Sequence, residues 1–408
     1  MSDKDILRGL AQRYRDISAM PVQQERRDLW RRHNSLKETR PLIYVREGTA
    51  WNEIPEITGL TCADPLFQRH ERFFRAMLFQ ETIGDDYIFE PYVVVQASYV
   101  LPGNGVWGLT THVEQSDSDE GGRNFYHNAP IKDHADAGRM TVPVHRIDER
   151  RTADDLERIS DAIGDIIPVV LSRAPVWRHW NADISTELTK LRGMEALMMD
   201  MYDDPAWLHG VLGFMRDGIL KAQDEAERAG DWHLYDNNNQ AMSYAEGLPD
   251  PSANAQSVPR AKLWAHVAAQ ELTLISPAMH DEFMLRYQLP IMEKFGLVAY
   301  GCCEDLTQKI DILRTVKNLR RIAVAPRANV RVCAEAIGRD YVFSWRPNPA
   351  EMVCCGYDEA KVKRIVKKAL ADAKGCHIDI TLKDIQTVER DPTRLARWVN
   401  AVREVIAA

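Results

Sequence analysis

The sequence lacks any apolar run long enough to cross a membrane, and its first residues, Met-Ser-Asp-Lys-Asp, have no apolar signal core. We therefore expect a cytoplasmic protein with no membrane partner. Clustered positive charge is also missing, because 60 acidic residues outnumber 52 basic ones and the formal net charge is -8. Nucleic acid is not expected as a partner, since phosphate contacts need clustered lysine and arginine.

Cofactor and metal motifs of fixed spacing are absent as well. No G-x-G-x-x-G follows a predicted strand, and neither a phosphate-loop lysine motif nor a C-x-x-C pair occurs. The seven cysteines include two adjacent pairs, Cys302-Cys303 and Cys354-Cys355. An odd number in a long cytoplasmic chain does not indicate a disulfide framework. Metal binding, thiolate chemistry and core packing all remain open for these residues.

What the sequence does contain is an alternation of short apolar runs and amphipathic helical segments. Residues 1–40 are predicted to form a helical extension with one apolar face. Alternating strands and helices with short connections favour a parallel sheet with helices outside. Both a barrel and an open doubly wound sheet fit this alternation, and the absence of dinucleotide- and phosphate-binding motifs favours the barrel. We therefore predict an α/β fold, a single (β/α)8 TIM-type barrel over residues 41–408. The predicted strands are Leu42–Val45, Tyr92–Tyr99, Ile166–Leu171, Trp232–Tyr235, Leu297–Tyr300, Ile322–Val324, Tyr341–Trp345 and Cys376–Ile380.

The active site of such a barrel lies where the strands end at their C-terminal sides. The turn Tyr300-Gly301-Cys302-Cys303-Glu304 follows one predicted strand and is our candidate site. A carboxylate after a buried strand needs a reason to be there, so Glu304 is predicted to act in acid–base chemistry or ligand orientation. The two thiols, together with Cys376 and His377 at the last strand, have the donor types of a zinc site. The alternative is packing, since cysteines and lone histidines are more often buried structural groups.

Further residues complete the predicted binding site. Arginines can clamp a carboxylate, asparagines can orient a ligand or stabilise a turn, and aromatic rings can stack on a flat or cationic ligand. The long polar stretch 102–135 is predicted to be a loop, and long loops are often functional. The predicted binding residues are Arg46, Arg327, Arg346, Asn237, Asn238, Trp107, Tyr235 and Trp345.

Four stretches carry a family resemblance: Leu191–Asp204, Ser276–Phe283, Phe295–Glu304 and Asp340–Pro349. In these the chain resembles the uroporphyrinogen decarboxylase superfamily, which includes corrinoid-dependent methyltransferases. The likeness covers roughly residues 140–408, with a weaker trace over residues 40–99. It implies one (β/α)8 barrel and, by analogy with the family, a homodimer.

The decarboxylase branch of this superfamily holds a tetrapyrrole with an arginine-rich loop and uses a catalytic aspartate. This chain keeps only Arg46 in the corresponding loop and has Pro91 where the resemblance places the aspartate. A tetrapyrrole with many carboxylates needs several cationic donors. Decarboxylation of uroporphyrinogen is therefore not expected.

The methyltransferase branch often carries zinc on a His-x-Cys pair and a later cysteine. The resemblance places Cys302 and Cys376 at the two cysteines and Tyr300 at the histidine. Either Cys303, Glu304 or His377 supplies the missing ligand, or the site holds no metal. Without zinc, protonation would fall to side chains such as Glu304 or Tyr300.

We therefore expect a methyltransferase or demethylase component. It would move a methyl group between a small-molecule donor or acceptor and a corrinoid such as methylcobalamin, presented by a separate corrinoid protein. Tetrahydrofolate is a candidate acceptor. Two alternatives stay open, a decarboxylase or lyase acting on a small carboxylic acid, and a non-catalytic barrel that binds a ligand or corrinoid.

Overall fold

The computed structural model describes residues 2–111, 128–175 and 183–408, and the backbone of two short strands at 114–115 and 123–124. Helices and parallel strands alternate along most of the chain. The α-helices are α1 Asp3–Ser18, α2 Val22–Asn34, α3 Pro55–Thr58, α4 Pro65–Ile83, α5 Glu149–Ile163, α6 Ile184–Arg192, α7 Met194–Asp203, α8 Pro205–Ala229, α9 Pro277–His280, α10 Arg286–Met292, α11 Ile310–Leu313, α12 Val330–Ile337, α13 Glu359–Asp372 and α14 Thr393–Ala407.

The strands form three sheets. Six parallel strands, which we call the main sheet, run in the order β1-β10-β9-β8-β7-β6. A second, two-stranded sheet pairs β2 with β5 in parallel, and β3 with β4 form a short antiparallel pair. The strand bounds are β1 Leu42–Val45, β2 Val93–Gln96, β3 Glu114–Gln115, β4 Arg123–Asn124, β5 Val169–Ser172, β6 Trp264–Val267, β7 Leu297–Tyr300, β8 Leu319–Val324, β9 Val342–Trp345 and β10 His377–Leu382.

Local sequence signals fix where the longer helices begin and end. Helix α4 starts with Pro65 after Asp64, whose carboxylate accepts hydrogen bonds from two first-turn amides, and it ends at Gly84 in the left-handed conformation. Helix α8 uses the same devices, with Asp204 before Pro205 and a left-handed Gly230 at its end. In the described part of the chain, no helix is both long and apolar enough to cross a membrane.

These elements confirm a mixed α/β fold with a parallel sheet. The predicted strand Trp232–Tyr235 is wrong, because Asp236 accepts a hydrogen bond from the His233 amide and the chain turns into a 3-10 helix at Leu234–Asp236. Strand β6 was not predicted. Of the predicted loop 102–135, residues 112–127 lie outside the described residues, apart from the backbone of β3 and β4.

The C-terminal end of helix α2 contacts the main sheet through a buried polar network. Asp379 on β10 accepts hydrogen bonds from Arg321 on β8 (2.7 Å) and Ser344 on β9 (2.9 Å). Helix α2 adds His33, whose Nε2 lies 3.0 Å from the same carboxylate, and Asn34, which accepts from Arg321. All five side chains are buried. Residues 1–40, which were predicted to be an extension, therefore contribute His33 and Asn34 to a buried network on the main sheet.

Candidate active site at the C-terminal edge of the main sheet

The site lies where β6, β7, β9 and β10 end, on one edge of the main sheet. Strand β7 is followed by Gly301, whose φ of 101° is costly for any residue with a Cβ. A Cβ there would also come within 2.8 Å of Leu306 and 2.9 Å of Ala323. Glycine is therefore required for the sharp turn that places Cys302 and Cys303 beside the residues that follow β10.

Lys383 follows β10 and reaches both thiols. Its Nζ lies 3.3 Å from Cys302 Sγ and 3.3 Å from Cys303 Sγ, and the two sulfurs are 3.6 Å apart. Asp384 completes the group, 2.6 Å from Lys383 Nζ and 3.5 Å from Cys303 Sγ. Lys383 and Cys302 are buried and Cys303 is exposed, so the cluster extends from the interior to the surface.

The environment favours a thiolate at Cys302. The hydrogen bond from Cys303 and the positive charges of Lys383 and Arg346 outweigh the effect of burial, and they lower the pKa of Cys302 to about 5. The pKa of Cys303 is raised, because the neighbouring Cys302 sulfur and burial both disfavour a second negative charge. At neutral pH the pair therefore holds one thiolate and one thiol.

Arg346, which follows β9, braces the turn. Its Nη1 donates hydrogen bonds to the carbonyl oxygens of Gly301 (3.2 Å) and Cys302 (2.6 Å). Gln240 Nε2 lies 3.6 Å from Cys302 Sγ. Arg346 Nε and Gln240 Oε1 are buried and have no hydrogen-bond partner among the described residues. A buried polar atom without a partner is costly, so both atoms are suited to contact a bound molecule.

Glu304 lies fully buried below the turn. Its carboxylate accepts hydrogen bonds from the amides of Ala269 (2.9 Å) and Cys302 (2.7 Å), and burial raises its pKa. These bonds tie the end of β7 to the segment after β6. The predicted acid–base role of Glu304 stays a prediction, and the geometry shows a residue that positions Cys302.

A buried histidine on β6 lies against the same turn. His266 Nε2 is 3.2 Å from the carbonyl oxygen of Gly301 and must donate, because a carbonyl only accepts. Burial and the positive charges of Arg346, Arg46 and Lys383 hold the pKa of His266 well below its usual range. His266 is therefore neutral, and the positive charges of Arg346, Arg46 and Lys383 all act on it at this edge of the main sheet.

Tyr300, predicted to be catalytic, points away from this cluster. Its hydroxyl donates to Gln288 Oε1 (2.8 Å) and lies 2.8 Å from His280 Nε2, in a buried group between β7 and helices α9 and α10. Burial raises the pKa of Tyr300 well above its usual value. The hydroxyl therefore belongs to the packing of the helices on the sheet.

A Tyr300→Phe variant should accordingly lose stability. The variant loses the hydrogen bonds of the hydroxyl with Gln288 Oε1 and His280 Nε2, and leaving a buried polar atom unsatisfied costs about 1–3 kcal/mol. Urea denaturation followed by circular dichroism measures the change in unfolding free energy. An unchanged midpoint would contradict the structural role.

The structure separates Cys376 and His377 from Cys302. They lie at the start of β10, and the six residues of that strand put about 20 Å between them and Lys383 at about 3.3 Å per residue. Cys376 Sγ contacts the carbonyl oxygen of Ala334 (3.6 Å). Among the described residues, no group of three or more His, Cys, Asp or Glu side chains is arranged to hold a metal ion. The predicted zinc ligands Cys302, Cys376 and His377 are thus not brought together, and the ammonium of Lys383 contacts both Cys302 and Cys303.

The predicted binding residues divide into two groups. The positive charges of Arg46 and Arg346 lower the pKa of His266 at the site, whereas Arg327 is exposed after β8. Trp107 and Trp345 are buried in the core. Tyr235 donates to the Leu171 carbonyl and stacks on His233, Asn237 accepts from the Trp264 amide, and Asn238 beside it is half-buried.

Four site residues were not predicted: His266, Lys383, Asp384 and Gln240. The polar pair Lys383-Asp384 directly after an alternating strand was the signal available for Lys383. His266 lies in the strand that was not predicted, and Gln240 acts through a side chain on an irregular segment.

The state of Cys302 can be tested by alkylation. In a Cys303→Ser background, which keeps a hydrogen-bond donor, the rate with iodoacetamide should be half-maximal at a pH well below the ordinary thiol pKa, because only the thiolate reacts and Lys383 and Arg346 lower the pKa of Cys302. Mass spectrometry of the peptide containing Cys302 measures this rate. Cys333, whose pKa burial raises to about 11, should stay unmodified at pH 7. A midpoint near the ordinary thiol pKa of about 8.5 would contradict the assignment.

The chain matches no known protein-family model, and no curated protein matches it.

Proposed function

We propose that the protein is an enzyme that replaces a one-carbon group on a small anionic substrate by a proton, with methyl transfer as its main reaction. The observation that carries this proposal is the group formed by Cys302, Cys303 and Lys383, with one ammonium 3.3 Å from both sulfurs. Arg46 and Arg346 add two positive charges at the same edge.

Each residue of the cluster has a role in this reaction. Arg46 and Arg346 bind the anionic group of the substrate, as guanidinium groups commonly do. Lys383 donates a proton from Nζ to the atom that the methyl group leaves. The bond between that atom and the methyl carbon breaks. The electron pair of the bond stays on that atom and takes the proton, and the methyl group passes to an acceptor. Lys383 then takes a proton back from solvent, which reaches the cluster at the exposed Cys303, while the Cys302 thiolate keeps the ammonium in place.

A corrinoid on a partner protein is the methyl acceptor that the sequence resemblance suggests, with tetrahydrofolate as an alternative. The rings predicted to stack on a corrin, Trp107 and Trp345, pack in the core, and Tyr235 is engaged with His233 and Leu171. In the part of the chain that the structure describes, these residues form no platform for the ring. The proposal therefore assigns the acceptor no ligand from this chain.

We also propose that the main sheet and the β2-β5 sheet belong to one (β/α)8 barrel. Two contacts near the irregular segment after α8 support this arrangement. Asp236 accepts a hydrogen bond from Ser172 at the end of β5 (2.6 Å), and Asn237 accepts one from Trp264 at the start of β6 (3.0 Å). The segment thus bridges the two sheets at the position where a strand was predicted.

Decarboxylation of a small acid is the second candidate, favoured by the three cations that act on His266. The same proton donor would serve it. The bond to the carboxylate carbon breaks, carbon dioxide leaves, and the electron pair takes a proton from Lys383. Both reactions replace a one-carbon group by hydrogen, so the products distinguish them.

The test is a substrate panel with the purified full chain. Small carboxylic acids that carry an O-, N- or S-methyl group and a ¹³C-labelled carboxylate are incubated with and without cob(I)alamin, and mass spectrometry follows demethylated acid and labelled carbon dioxide. Demethylated acid that forms only with the acceptor supports methyl transfer. Labelled carbon dioxide without the acceptor supports decarboxylation.

Binding gives a second readout on the same panel. Carboxylates should raise the melting temperature of the wild type, because a ligand that binds only the folded state stabilises it. The shift should shrink in Arg46→Met and persist in the control Arg327→Met, whose side chain is exposed. Shifts without turnover would favour the non-catalytic alternative. Equal shifts in both variants would contradict the proposed anion site.

A further inference from the structure

The two thiols of the site form a pair with its own chemistry. Cys302 and Cys303 are adjacent in sequence, their sulfurs lie 3.6 Å apart, and both sulfurs contact Lys383 Nζ. Cys303 is exposed, so a small oxidant can reach the pair from solvent. An accessible cysteine pair with one activated thiolate has the features of a redox-sensitive site.

The chain contains a second adjacent pair that lacks this arrangement. Cys354 is buried and Cys355 is exposed, as at the first pair. Within the described residues, however, no hydrogen bond joins their sulfurs to each other or to a lysine, and burial raises the pKa of Cys354. Adjacency alone therefore does not create the arrangement at Cys302 and Cys303. It requires the turn at Gly301 and the lysine after β10.

We propose that Cys302 and Cys303 are a modification site at which hydrogen peroxide closes the two thiols into a reversible disulfide. The Cys302 sulfur attacks one peroxide oxygen, the oxygen–oxygen bond breaks, and hydroxide leaves with a proton from Lys383. The Cys303 sulfur then attacks the resulting sulfenic acid, the sulfur–oxygen bond breaks, and water leaves with the thiol proton. Two thiols and one peroxide thus give one disulfide and two waters, and the sulfurs lose the two electrons that the peroxide gains.

The geometry also explains why the product should be easily reduced. The sulfurs must approach from 3.6 Å to about 2.05 Å, which rotation of the exposed Cys303 side chain can supply. Adjacent Cα atoms lie only about 3.8 Å apart across a trans peptide bond. Most disulfides join Cα atoms about 4.4–6.8 Å apart, so this bridge is strained and open to thiol reductants.

The disulfide would remove the thiolate that holds Lys383 in place. Loss of turnover on oxidation is therefore expected, and this part of the inference rests on the proposed function. Formation of the disulfide does not rest on it, because its readout is the mass of a peptide.

The experiment compares two tryptic peptides that each hold one adjacent pair, residues 295–309 with Cys302-Cys303 and residues 340–361 with Cys354-Cys355. The folded full chain is treated with hydrogen peroxide at neutral pH and then denatured, so that N-ethylmaleimide blocks every free thiol, and the digest is analysed by mass spectrometry. We expect peptide 295–309 to be two hydrogens lighter and unblocked, and to accept two labels after dithiothreitol. Peptide 340–361 should carry two labels throughout.

Two variants make the test sharper. In Cys303→Ser the reaction should stop at a sulfenic acid on Cys302, which dimedone traps, and Lys383→Met should oxidise several-fold more slowly. The proposal is overturned if both peptides oxidise at equal rates, or if peptide 295–309 stays fully labelled. A disulfide in a protein without turnover would leave this inference standing and remove the proposed function. Turnover that depends on Lys383, with no disulfide, would support the proposed function and overturn this inference.

Discussion

Replacing Lys383 by methionine is expected to lower kcat by about 10²–10⁴-fold, because a positioned proton donor contributes rate enhancement of that size. The substrate should still bind, since Arg46 and Arg346 remain. The measurement is demethylation or carbon dioxide release with the best substrate of the panel. A matched control is Lys367→Met, an exposed lysine on α13, which should keep wild-type turnover.

A purely structural role for Lys383 would give a different pattern. If the lysine donates the proton, a small added amine such as ethylamine should restore part of the lost rate. The alkylation midpoint of Cys302 should rise, because the nearest positive charge is gone. A variant that loses turnover without rescue and keeps the Cys302 midpoint would count against proton donation.

The second large effect is expected at Asp379. An Asp379→Ala variant leaves Arg321 buried without its counter-ion, and breaking a buried ion pair in this way costs about 3–5 kcal/mol. Urea denaturation measures the loss. The control is Asp165→Ala, which removes only the exposed pair with Arg8 and should change the midpoint little. Equal effects in the two variants would contradict the importance of the buried network.

The pH dependence of this contribution has a defined sign. Burial alone would raise the pKa of Asp379, but Arg321 and the hydrogen bonds of His33 and Ser344 hold it well below its usual range. A carboxylate with a lowered pKa stabilises the fold fully above its unfolded-state pKa of about 3.9 and loses that contribution as the pH falls further. The stability difference between wild type and Asp379→Ala should therefore narrow below about pH 4.

Much of the fold followed from apolar patterns. Strands β1 and β7 were predicted with their observed bounds, because each is a short, uninterrupted apolar run. Strand β6 was missed because Trp264–Val267 includes an alanine and a histidine and has no β-branched run. At 232–235 the apolar residues indicated a strand, but the hydrogen bond from the His233 amide to Asp236 turned the chain. Such a local side-chain bond is not visible in hydrophobic periodicity.

The sequence predicted the location of the candidate site better than the identity of its residues. The turn after β7 was predicted because strand ends of parallel sheets collect functional groups. Cys376 was chosen because the resemblance places the last zinc cysteine there and because it lies at the last predicted strand, Cys376–Ile380. The observed strand runs from His377 to Leu382, so Cys376 precedes β10 and Lys383 follows it. Asp379 and Thr381 are polar and alternate with apolar residues, so the C-terminal end of β10 could not be located from an apolar run. Asp379 binds Arg321 and His33, which are distant from it in sequence, and a single sequence does not reveal such pairs.

The pairing of β1 with β10 has a consequence for how the chain reaches its native state. Leu42 pairs with Asp379, and His33 binds a carboxylate 346 residues further along the chain. During synthesis the first strand and helix α2 therefore leave the ribosome long before their partners exist. Such high contact order slows folding and leaves apolar surface and strand edges open to aggregation. Production of the protein should accordingly benefit from chaperones and slow translation, and truncation from either end should remove half of the same buried contact.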